Sequence, residues 1–411
     1  MYFYKCEGEV LFSKLEYNLN KITEKEAKKA SKLYFLTKLD PLVSRRSFSV
    51  SDTSLLDIKN EDINLLKRNS TKLYIPEWIE DLITKRKVTL INTNYPNWKE
   101  VLKINFPKKW RVNILALGDV GSTLLTGLKL LGNKDIKEIG IYSRDVAEIN
   151  RWVIEMNQVS PPFEYDKYPP VKGLKKDELF DCDMFVFCAS CSVPKVGSDV
   201  KDVRMIQFES NSKIIKEYAK LAREKNFKGI FSVVSDPVDL LSKVVFLESN
   251  KDNNDNFDFY GLAPEQIRGY GLGVMNTRAC YFANKNKKTK HYINEGRAFG
   301  PHGEGLIIAN SIENYNTEIS NYLTQKAKKA NIEVRKLGYK PYIAPALSSG
   351  SFSILSTING SWHYSATFIG GVFMGAKNRL TSSGIELERL DLADDLMVKL
   401  KNTYERLEEI I

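Results

Sequence analysis

Short apolar runs alternate with helix-like stretches through the middle of the chain, and this alternation predicts the fold. The runs that predict strands are residues 112–117, 138–142, 184–189 and 229–234. Stretches typical of helices lie between them, among them residues 122–131 and 212–225. Strands and helices of these lengths in alternation favour a doubly wound parallel sheet of the α/β class.

The pattern is different before residue 111, where the sequence has few glycines and no glycine-rich loop. Thr23 and Glu26 form a predicted capping box, which indicates a helix that continues to about Lys38. The other predicted elements are helical stretches at residues 51–68 and 76–87 and a strand at residues 89–92. Residues 1–110 are therefore interpreted as a small α+β domain of unknown role.

The pattern changes again after about residue 260. Strand-like pieces at residues 291–293 and 306–309 mix with helices, and a long amphipathic helix is predicted at residues 393–410. The sequence thus predicts three domains, which are an N-terminal domain at 1–110, a doubly wound α/β domain at 111–259 and an α+β domain at 260–411.

Composition narrows the class of protein. The 411-residue chain carries a net charge of +10, but its lysines are interleaved with acidic residues, so we expect no nucleic-acid partner. No apolar run reaches the roughly 18–20 residues that span a bilayer, so we expect no membrane contact. Five cysteines without metal-ligand spacing favour the cytoplasm and no metal site. The positive charge suits anionic substrates and phosphorylated cofactors.

The first predicted strand runs into a glycine turn, and this turn is the candidate cofactor loop. Gly118, Asp119, Val120 and Gly121 lie between the strand and the next predicted helix. Such a turn lets the backbone approach a dinucleotide pyrophosphate, to whose charged oxygens the N–H groups at the start of the helix donate hydrogen bonds. Ala116 stands where the usual first glycine would be.

Further motifs follow in order, and together the chain resembles the lactate/malate dehydrogenase superfamily from about residue 111 to 411. The segments that carry the resemblance are residues 118–122 (GDVGS), 235–241 (SDPVDLL), 300–305 (GPHGEG), 371–375 (GVFMG) and 384–388 (GIELE). The resemblance implies a Rossmann domain followed by a mixed α+β substrate domain. It also implies hydride transfer between a nicotinamide and a 2-oxo or 2-hydroxy acid, and a homodimer or homotetramer.

The resemblance assigns roles to individual residues. His302 matches the histidine that exchanges the proton of the substrate hydroxyl, a task that suits a group titrating near neutral pH. Arg204 matches the arginine that polarises the substrate carbonyl, and Asn211, which follows it at the family spacing of seven residues, is a candidate substrate-binding residue. Arg278 matches the arginine that holds the substrate carboxylate. The mobile loop at residues 192–202 is longer than in the family.

Two positions depart from the family pattern, and together they suggest that an aspartate and an asparagine have exchanged places. The family has an aspartate three residues before the carboxylate-binding arginine, but here Met275 stands there, with Asn276 beside it as a candidate partner of the histidine. The family asparagine of the Asn-Pro-Val-Asp motif is replaced by Asp236. We predict that Asp236 supplies the negative charge for His302, or faces a cationic substrate group. The resemblance also makes Asp236-Pro237 a candidate cis peptide.

The cofactor is predicted from the end of the second strand. NAD-dependent enzymes place an acidic residue there for the ribose 2′-hydroxyl, but this chain has Ser143, 22 residues after Gly121, followed by Arg144. A guanidinium without a carboxylate suits a 2′-phosphate, so we predict NADP(H) in preference to NAD(H). Ala189 and Ser190, at the end of the strand at 184–189, are further cofactor-binding candidates.

Three functions remain open from the sequence. The first is an NAD(P)-dependent dehydrogenase that acts on the CH–OH group of a 2-hydroxy acid other than plain lactate or malate. The second is an imine or amino-acid dehydrogenase on the same scaffold, with Asp236 facing the nitrogen. The third is a nucleotide-binding regulatory subunit without turnover, since the family aspartate and first glycine are replaced.

Overall fold

The computed structural model describes residues 1–69, 73–191 and 203–411. In the first 110 residues, strands of mixed direction form one sheet in the order β3-β1-β2-β4-β6-β5. These strands are β1 (Tyr2–Cys6), β2 (Glu9–Ser13), β3 (Asn20–Lys21), β4 (Leu33–Thr37), β5 (Ser47–Ser49) and β6 (Val88–Asn92). The α-helices described in this part are α1 (Glu24–Ala27) and α2 (Glu77–Thr84). An α+β character is therefore observed here.

The predicted helix up to Lys38 is wrong beyond its first turn. The capping box forms, with Thr23 and Glu26 bonded reciprocally, but α1 ends at Ala27. The apolar residues that follow form β4 instead, which pairs in parallel with both β2 and β6. Burying the aromatic and aliphatic side chains of residues 33–37 in a central strand stabilises the fold more than extending a one-turn helix would. The stretch at 51–68 forms two short 3₁₀ helices, Thr53–Asp57 and Ile63–Leu66.

The middle of the chain forms the predicted parallel sheet. Its strands are β7 (Trp110–Leu115), β8 (Ile136–Tyr142), β9 (Val171–Gly173), β10 (Met184–Phe187), β11 (Ile230–Val233) and β12 (Ile267–Gly269). They lie side by side as β9-β8-β7-β10-β11-β12, and every neighbouring pair is parallel. Numbered within this unit the order is 3-2-1-4-5-6, which is the order of a Rossmann fold. The α/β class is therefore confirmed.

Helices connect these strands and cover both faces of the sheet. They are α3 (Asp119–Leu131), α4 (Val146–Gln158), α5 (Val203–Glu224) and α6 (Val238–Ser249). Because crossover connections of this kind are right-handed, the sheet reverses its winding between β7 and β10 and leaves a crevice at the carboxyl ends of these strands. The sixth strand, β12, lies beyond residue 259, so the parallel sheet extends past the predicted domain boundary.

The remaining chain adds antiparallel strands and helices. The strands are β13 (Arg297–Phe299), β14 (Ile307–Ala309), β15 (His363–Ile369), β16 (Val372–Thr381) and β17 (Gly384–Leu387). The helices are α7 (Leu272–Ala283), α8 (Tyr292–Glu295), α9 (Thr317–Lys336), α10 (Phe352–Ile358) and α11 (Asp394–Ile410). The strands β15 to β17 extend the parallel sheet beyond β12, to nine strands among the described residues. The predicted strand at 291–293 is wrong, because these residues begin α8.

The N-terminal part shares a hydrophobic core with the C-terminal part. One cluster of buried side chains contains Phe12 and Leu90 together with Val372, Leu396 and Leu400. Polar contacts reinforce this packing, since Arg86 binds Glu386 of β17 at 2.8 Å and accepts a hydrogen bond on its carbonyl from Ser383. The N-terminal part is therefore held against the hairpin β16–β17 and helix α11. Among the described helices, none combines the length and hydrophobicity that crossing a bilayer requires.

His363 in β15 makes acid stability a testable property of this packing. Its Nε2 lies 2.9 Å from Thr357 Oγ1, and its Nδ1 lies 3.0 Å from the carbonyl oxygen of Ser361. Burial, with a smaller contribution from the positive charge of Arg268, lowers the pKa of His363 to about 3. The unfolded chain takes up this proton near the usual pKa of 6.5. The native state therefore loses stability as the pH falls from 6.5 toward 3, and loses none above 6.5.

We expect this histidine to lower the free energy of unfolding by about 2 kcal/mol between pH 7 and pH 5. Urea unfolding at the two pH values measures it. The variant His363→Gln, which cannot take up the proton, should show a drop that is smaller by this amount. An equal drop in the variant and in the parent would contradict the assignment.

Candidate active site

The candidate cofactor loop connects β7 to α3 at the carboxyl edge of the parallel sheet. Gly121 lies in the first turn of α3, and a Cβ at this position would lie 2.0 Å from the carbonyl oxygen of Ala116. A Cβ on Gly118 would meet nothing within 4 Å. The turn therefore packs tightly on its inner side and is open on its outer side. Its first helical N–H groups, those of Asp119, Val120 and Gly121, have no partner within the helix, which suits a pyrophosphate.

Ala116 adopts the backbone conformation for which glycine is favoured. Its φ is +74°, in the left-handed region, and its N–H donates to the carbonyl oxygen of Tyr142 at 2.8 Å. A side chain in this region costs roughly 1–2 kcal/mol, because Cβ approaches the backbone oxygen. The position thus keeps the geometry of a glycine turn although the glycine itself is replaced.

The variant Ala116→Gly should stabilise the protein by about 1 kcal/mol, because the strain is removed at a smaller cost in unfolded-state entropy. Ala330→Gly in α9 is the matched control, and we expect it to destabilise by about 1 kcal/mol. Chemical denaturation of both variants measures the difference. Destabilisation by Ala116→Gly would contradict this, because it would show that the strain at Ala116 is smaller than the entropy cost of glycine.

The adenosine end of the loop contains a carboxylate that the sequence prediction did not consider. The Ser143 hydroxyl donates a hydrogen bond to Glu148 in the first turn of α4, and Arg144 is exposed beside it. Asp119 is also paired, with Lys340 at 2.8 Å. Glu148 and Lys340 are therefore neighbours of the candidate cofactor site. Glu148 lies on the helix that follows Ser143, whereas Lys340 is distant in sequence from Asp119.

His302 and Asp236 form the centre of the site. His302 Nδ1 lies 2.9 Å from Asp236 Oδ1, at the carboxyl end of β11. The Asp236-Pro237 peptide bond is cis. The backbone N–H of His302 points to Asp239 Oδ2 at 3.4 Å, and Asp239 is buried in the first turn of α6. With Nδ1 directed at a carboxylate, Nε2 is the nitrogen left to exchange a proton with a substrate.

Helix α7 places a cation near the same carboxylate. The pKa of Arg278 is lowered by burial, and the charge of Asp236 opposes this shift, so the two groups are close enough to interact. Met275 Sδ lies 3.4 Å from Arg278 Nη1. The start of the helix approaches the histidine closely, because a Cβ on Gly271 would lie 2.9 Å from His302 Cβ. The helix thus holds Arg278 and packs against His302.

Asn276 is not brought to His302. Its Oδ1 accepts a hydrogen bond from the hydroxyl of the buried residue Tyr292 at 2.7 Å. Asp236 is the residue whose side chain contacts the imidazole ring. Of the two partners that the sequence suggests for His302, the geometry therefore supports Asp236.

Asn211, a candidate substrate-binding residue in the sequence, is buried and connects the ends of two neighbouring strands instead of facing a substrate. It is fully buried, and its Oδ1 accepts from the N–H of Cys191 at 2.9 Å. Its Nδ2 donates to the carbonyl oxygen of Asp236 at 2.7 Å. The hydroxyl of Ser235 donates to the carbonyl oxygen of Ala189 at 2.6 Å. These bonds bring the cofactor candidates Ala189 and Ser190, at the end of β10, next to the histidine–aspartate pair.

Two predictions fall partly or wholly outside the described residues. The loop at 192–202 is one of them. Arg204 is the other, since its backbone lies in the first turn of α5 but its side chain is not described. Among the described residues, no group of three or more His, Cys, Asp or Glu side chains could hold a metal ion.

Sequence reasoning missed residues whose roles depend on the fold. Gly271 and Asp239 contact His302 from two helices, and Lys340 reaches the start of α3 from beyond α9. Asp239 had a signal, because it stands within the quoted SDPVDLL segment. A glycine before a helix and a single lysine in a basic chain carry no such signal.

Known proteins with similar sequences are dehydrogenases. The chain is 23% identical over 320 residues to a malate dehydrogenase of Archaeoglobus fulgidus, which covers 73% of this chain and 99% of that protein. It is 22% identical over 332 residues to L-lactate dehydrogenase 2 of Staphylococcus aureus, with 73% and 98% covered. No protein-family model matches the chain.

Solved structures agree with these relatives. A lactate dehydrogenase from a Medee basin deep-sea metagenome superposes with a TM-score of 0.59, at 18% identity, over 74% of this chain and 98% of that one. The Archaeoglobus fulgidus malate dehydrogenase in complex with NADH superposes with a TM-score of 0.57, at 22% identity, over 73% and 97%. The resemblance to the lactate/malate dehydrogenase superfamily is therefore confirmed. The share of the chain left uncovered agrees in size with the extra N-terminal part.

Proposed function

We propose that the protein is a nicotinamide-dependent oxidoreductase that interconverts a 2-oxo acid and a 2-hydroxy acid. The observation that carries this proposal is the contact of 2.9 Å between His302 and Asp236 beside the cation Arg278. These three groups lie at the carboxyl edge of a sheet with Rossmann strand order, where such folds bind their ligands. The dehydrogenase relatives support the same reaction class.

The cofactor loop fits a dinucleotide. Its outer side is open at Gly118, its inner side tolerates only a glycine at Gly121, and Ala116 preserves the turn. When bound, the nicotinamide exchanges a hydride with the substrate carbon. The N–H groups at the start of α3 bind the pyrophosphate, and Ala189 and Ser190 line the crevice between the cofactor loop and the histidine.

The side chains of the site each have a separate role in the reaction. His302 holds the exchanged proton on Nε2 and delivers it to the substrate oxygen during reduction of the 2-oxo acid. Asp236 receives the Nδ1–H hydrogen bond, keeps Nε2 directed at the substrate and stabilises the imidazolium form. Arg278 binds the substrate carboxylate, and its burial strengthens this contact because water competes less. Arg204 is proposed to polarise the carbonyl, as the resemblance implies.

The substrate is proposed to differ from plain lactate or malate. Asp236 replaces the family asparagine and remains 40% exposed on its side chain while it binds His302. A carboxylate beside the reacting carbon favours a neighbouring cationic group. This same exposure supports the second candidate, an imine or amino-acid dehydrogenase in which Asp236 faces the nitrogen.

Turnover of a substrate panel tests both candidates. Purified protein is titrated with NADPH and NADH by nicotinamide fluorescence, and oxidation is then followed with a panel of 2-oxo acids, with and without ammonium. Oxidation by a 2-oxo acid alone supports the first candidate, and a strict requirement for ammonium supports the second. Binding without turnover on any acid would favour a regulatory subunit, and no nucleotide binding would overturn the proposal.

We also propose that NADP(H) is preferred, because Arg144 is exposed at the end of β8 where a 2′-phosphate would lie. Arg144→Ala should weaken NADPH binding about tenfold and leave NADH binding unchanged, since a charged hydrogen bond contributes about 1.5–3 kcal/mol. Glu148→Gln should strengthen NADPH binding, because it removes a negative charge at Ser143. Fluorescence titration of the parent protein and both variants with each nucleotide measures these binding constants.

Arg151→Ala on α4 is the matched control, since it removes an equal charge from an ion pair with Glu155. If both arginine variants lost NADPH affinity equally, the effect would come from the overall charge of the protein and not from a specific contact of Arg144. An unchanged NADPH constant in Arg144→Ala would contradict the preference. A cytoplasmic location and a homodimer or homotetramer remain predictions of the sequence and the resemblance.

A further inference from the structure

A cavity lies at the edge of the parallel sheet opposite to the candidate active site. Its volume is about 570 Å³, and Trp110, Asp183, Gly229 and Gln266 are among its lining residues. These residues begin or immediately precede β7, β10, β11 and β12. Because the strands are parallel, their amino ends share one edge, whereas the cofactor loop and the histidine lie at the carboxyl edge. The cavity is therefore separate from the active site.

The N-terminal part of the chain closes this cavity. Lys32, Arg46 and Phe106 contribute to the lining, as does the turn between β16 and β17 at Ser382. The cavity thus exists only because the N-terminal part packs against the Rossmann sheet and the hairpin. Its volume falls within the roughly 300–1,000 Å³ typical of small-molecule sites.

Positive charge exceeds negative charge in the lining. The basic side chains are Lys32, Arg46, Lys103, Lys225 and Lys228. The acidic ones are Glu100, Asp183 and Glu265. All three carboxylates are already engaged, since Glu265 binds Arg46, Glu100 binds Lys228 and Asp183 accepts from the backbone N–H of Arg111.

Two of the lysines are not part of a described ion pair. Among the described residues, neither Lys32 nor Lys225 forms an ion pair. Lys32 Nζ instead donates to the carbonyl oxygen of Ser382 at 3.2 Å, and burial lowers its pKa. The charge of Glu9 opposes this shift without forming an ion pair, so an anionic ligand would further stabilise the partly buried ammonium of Lys32, whereas Lys225 is exposed.

Aromatic rings provide the apolar part of the wall. Phe106 and Trp110 stack with their ring centroids 5.9 Å apart and an angle of 11° between their planes. Phe180 and Phe227 form a second pair with centroids 5.1 Å apart. Flat aromatic walls favour a planar apolar group, because such a group stacks on them or packs against their edges.

We propose that this cavity binds a small anion that carries a planar apolar ring. Lys32 and Lys225 bind its negative group, and the aromatic pairs contact its ring. This site does not depend on the proposed dehydrogenase activity, since it shares no lining residue with the cofactor loop or the histidine.

Fluorescence titration with 8-anilinonaphthalene-1-sulfonate, an anion with planar rings, tests the proposal on the full-length protein. We expect saturable binding that a saturating concentration of NADPH or NADH does not displace. Lys32→Gln and Lys225→Gln should each weaken this binding about tenfold, which corresponds to one charge-assisted contact. Phe106→Ser should weaken it as well, because it removes the stacked wall.

Lys287→Gln is the matched control, because Lys287 is exposed on the turn after α7 and its substitution changes the net charge by the same amount. It should bind the probe as the parent protein does. Absence of binding, displacement by either nucleotide, or equal affinities in the parent and both cavity lysine variants would each overturn the proposal. Failure of the substrate panel described above would leave it unaffected, because the two experiments examine different sites.

Discussion

His302→Gln should lower kcat by about 10³-fold, because a positioned general acid–base contributes roughly 10²–10⁴-fold to such reactions. Glutamine keeps a polar side chain but cannot carry the proton. Its amide fills similar space in a half-buried position, so we expect the fold and nucleotide binding to be unchanged. Steady-state kinetics with the substrate found in the panel measures the loss, and nicotinamide fluorescence measures the binding.

His291→Gln is the control for this experiment. His291 is the other incompletely buried histidine of the chain, and its Nε2 pairs with Asn310 at 2.9 Å, not with a carboxylate at the site. We expect this variant to keep nearly all of the activity. Full activity in His302→Gln would show that another group exchanges the proton, and an equal loss in both variants would indicate a structural effect.

Asp236→Asn should lower kcat by about 10³-fold with little change in nucleotide binding. The substitution removes the charge that stabilises the imidazolium of His302. In the oxidation direction, an amide N–H directed at Nδ1 would also favour the wrong tautomer, in which Nε2 is already protonated and cannot accept the proton of the substrate hydroxyl. If activity and substrate preference were unchanged, Asp236 would serve neither His302 nor a cationic substrate group.

A second substitution distinguishes these two roles of Asp236. In the family that the chain resembles, the carboxylate that orients the histidine lies where Met275 stands here, three residues before Arg278. Adding Met275→Asp to Asp236→Asn restores a carboxylate at that position. We expect this double variant to recover at least tenfold in kcat, whereas Met275→Asn on the same background should recover none.

The substrate with which kcat recovers distinguishes the two roles of Asp236. Recovery with the parent substrate supports a charge that acts on His302. Recovery only with a substrate that lacks a cationic group supports direct recognition of the substrate by Asp236. Because Met275 is buried, folding of each variant is checked by its unfolding midpoint before the kinetics are compared.

Local signals in the sequence were sufficient for the parallel sheet and for several site residues. Apolar runs of strand length alternating with helices predicted β7, β8, β10 and β11, because such runs are stable only when buried on both faces. The short motifs around Gly118, Asp236 and His302 were recognisable because each depends on residues adjacent in sequence. A glycine turn and a proline after an aspartate are properties of a few neighbouring positions.

Other features of the fold and the site depended on packing between residues that are distant in the sequence. The residues at 33–37 became a strand, since β2 and β6 offered partners on both sides. Asp236 rather than Asn276 met His302, because their elements converge only in the folded chain. The shared core of the N-terminal part, and the cavity beneath it, also depend on contacts between residues hundreds of positions apart. Such contacts leave no periodic trace in one sequence, so only the tertiary structure determined them.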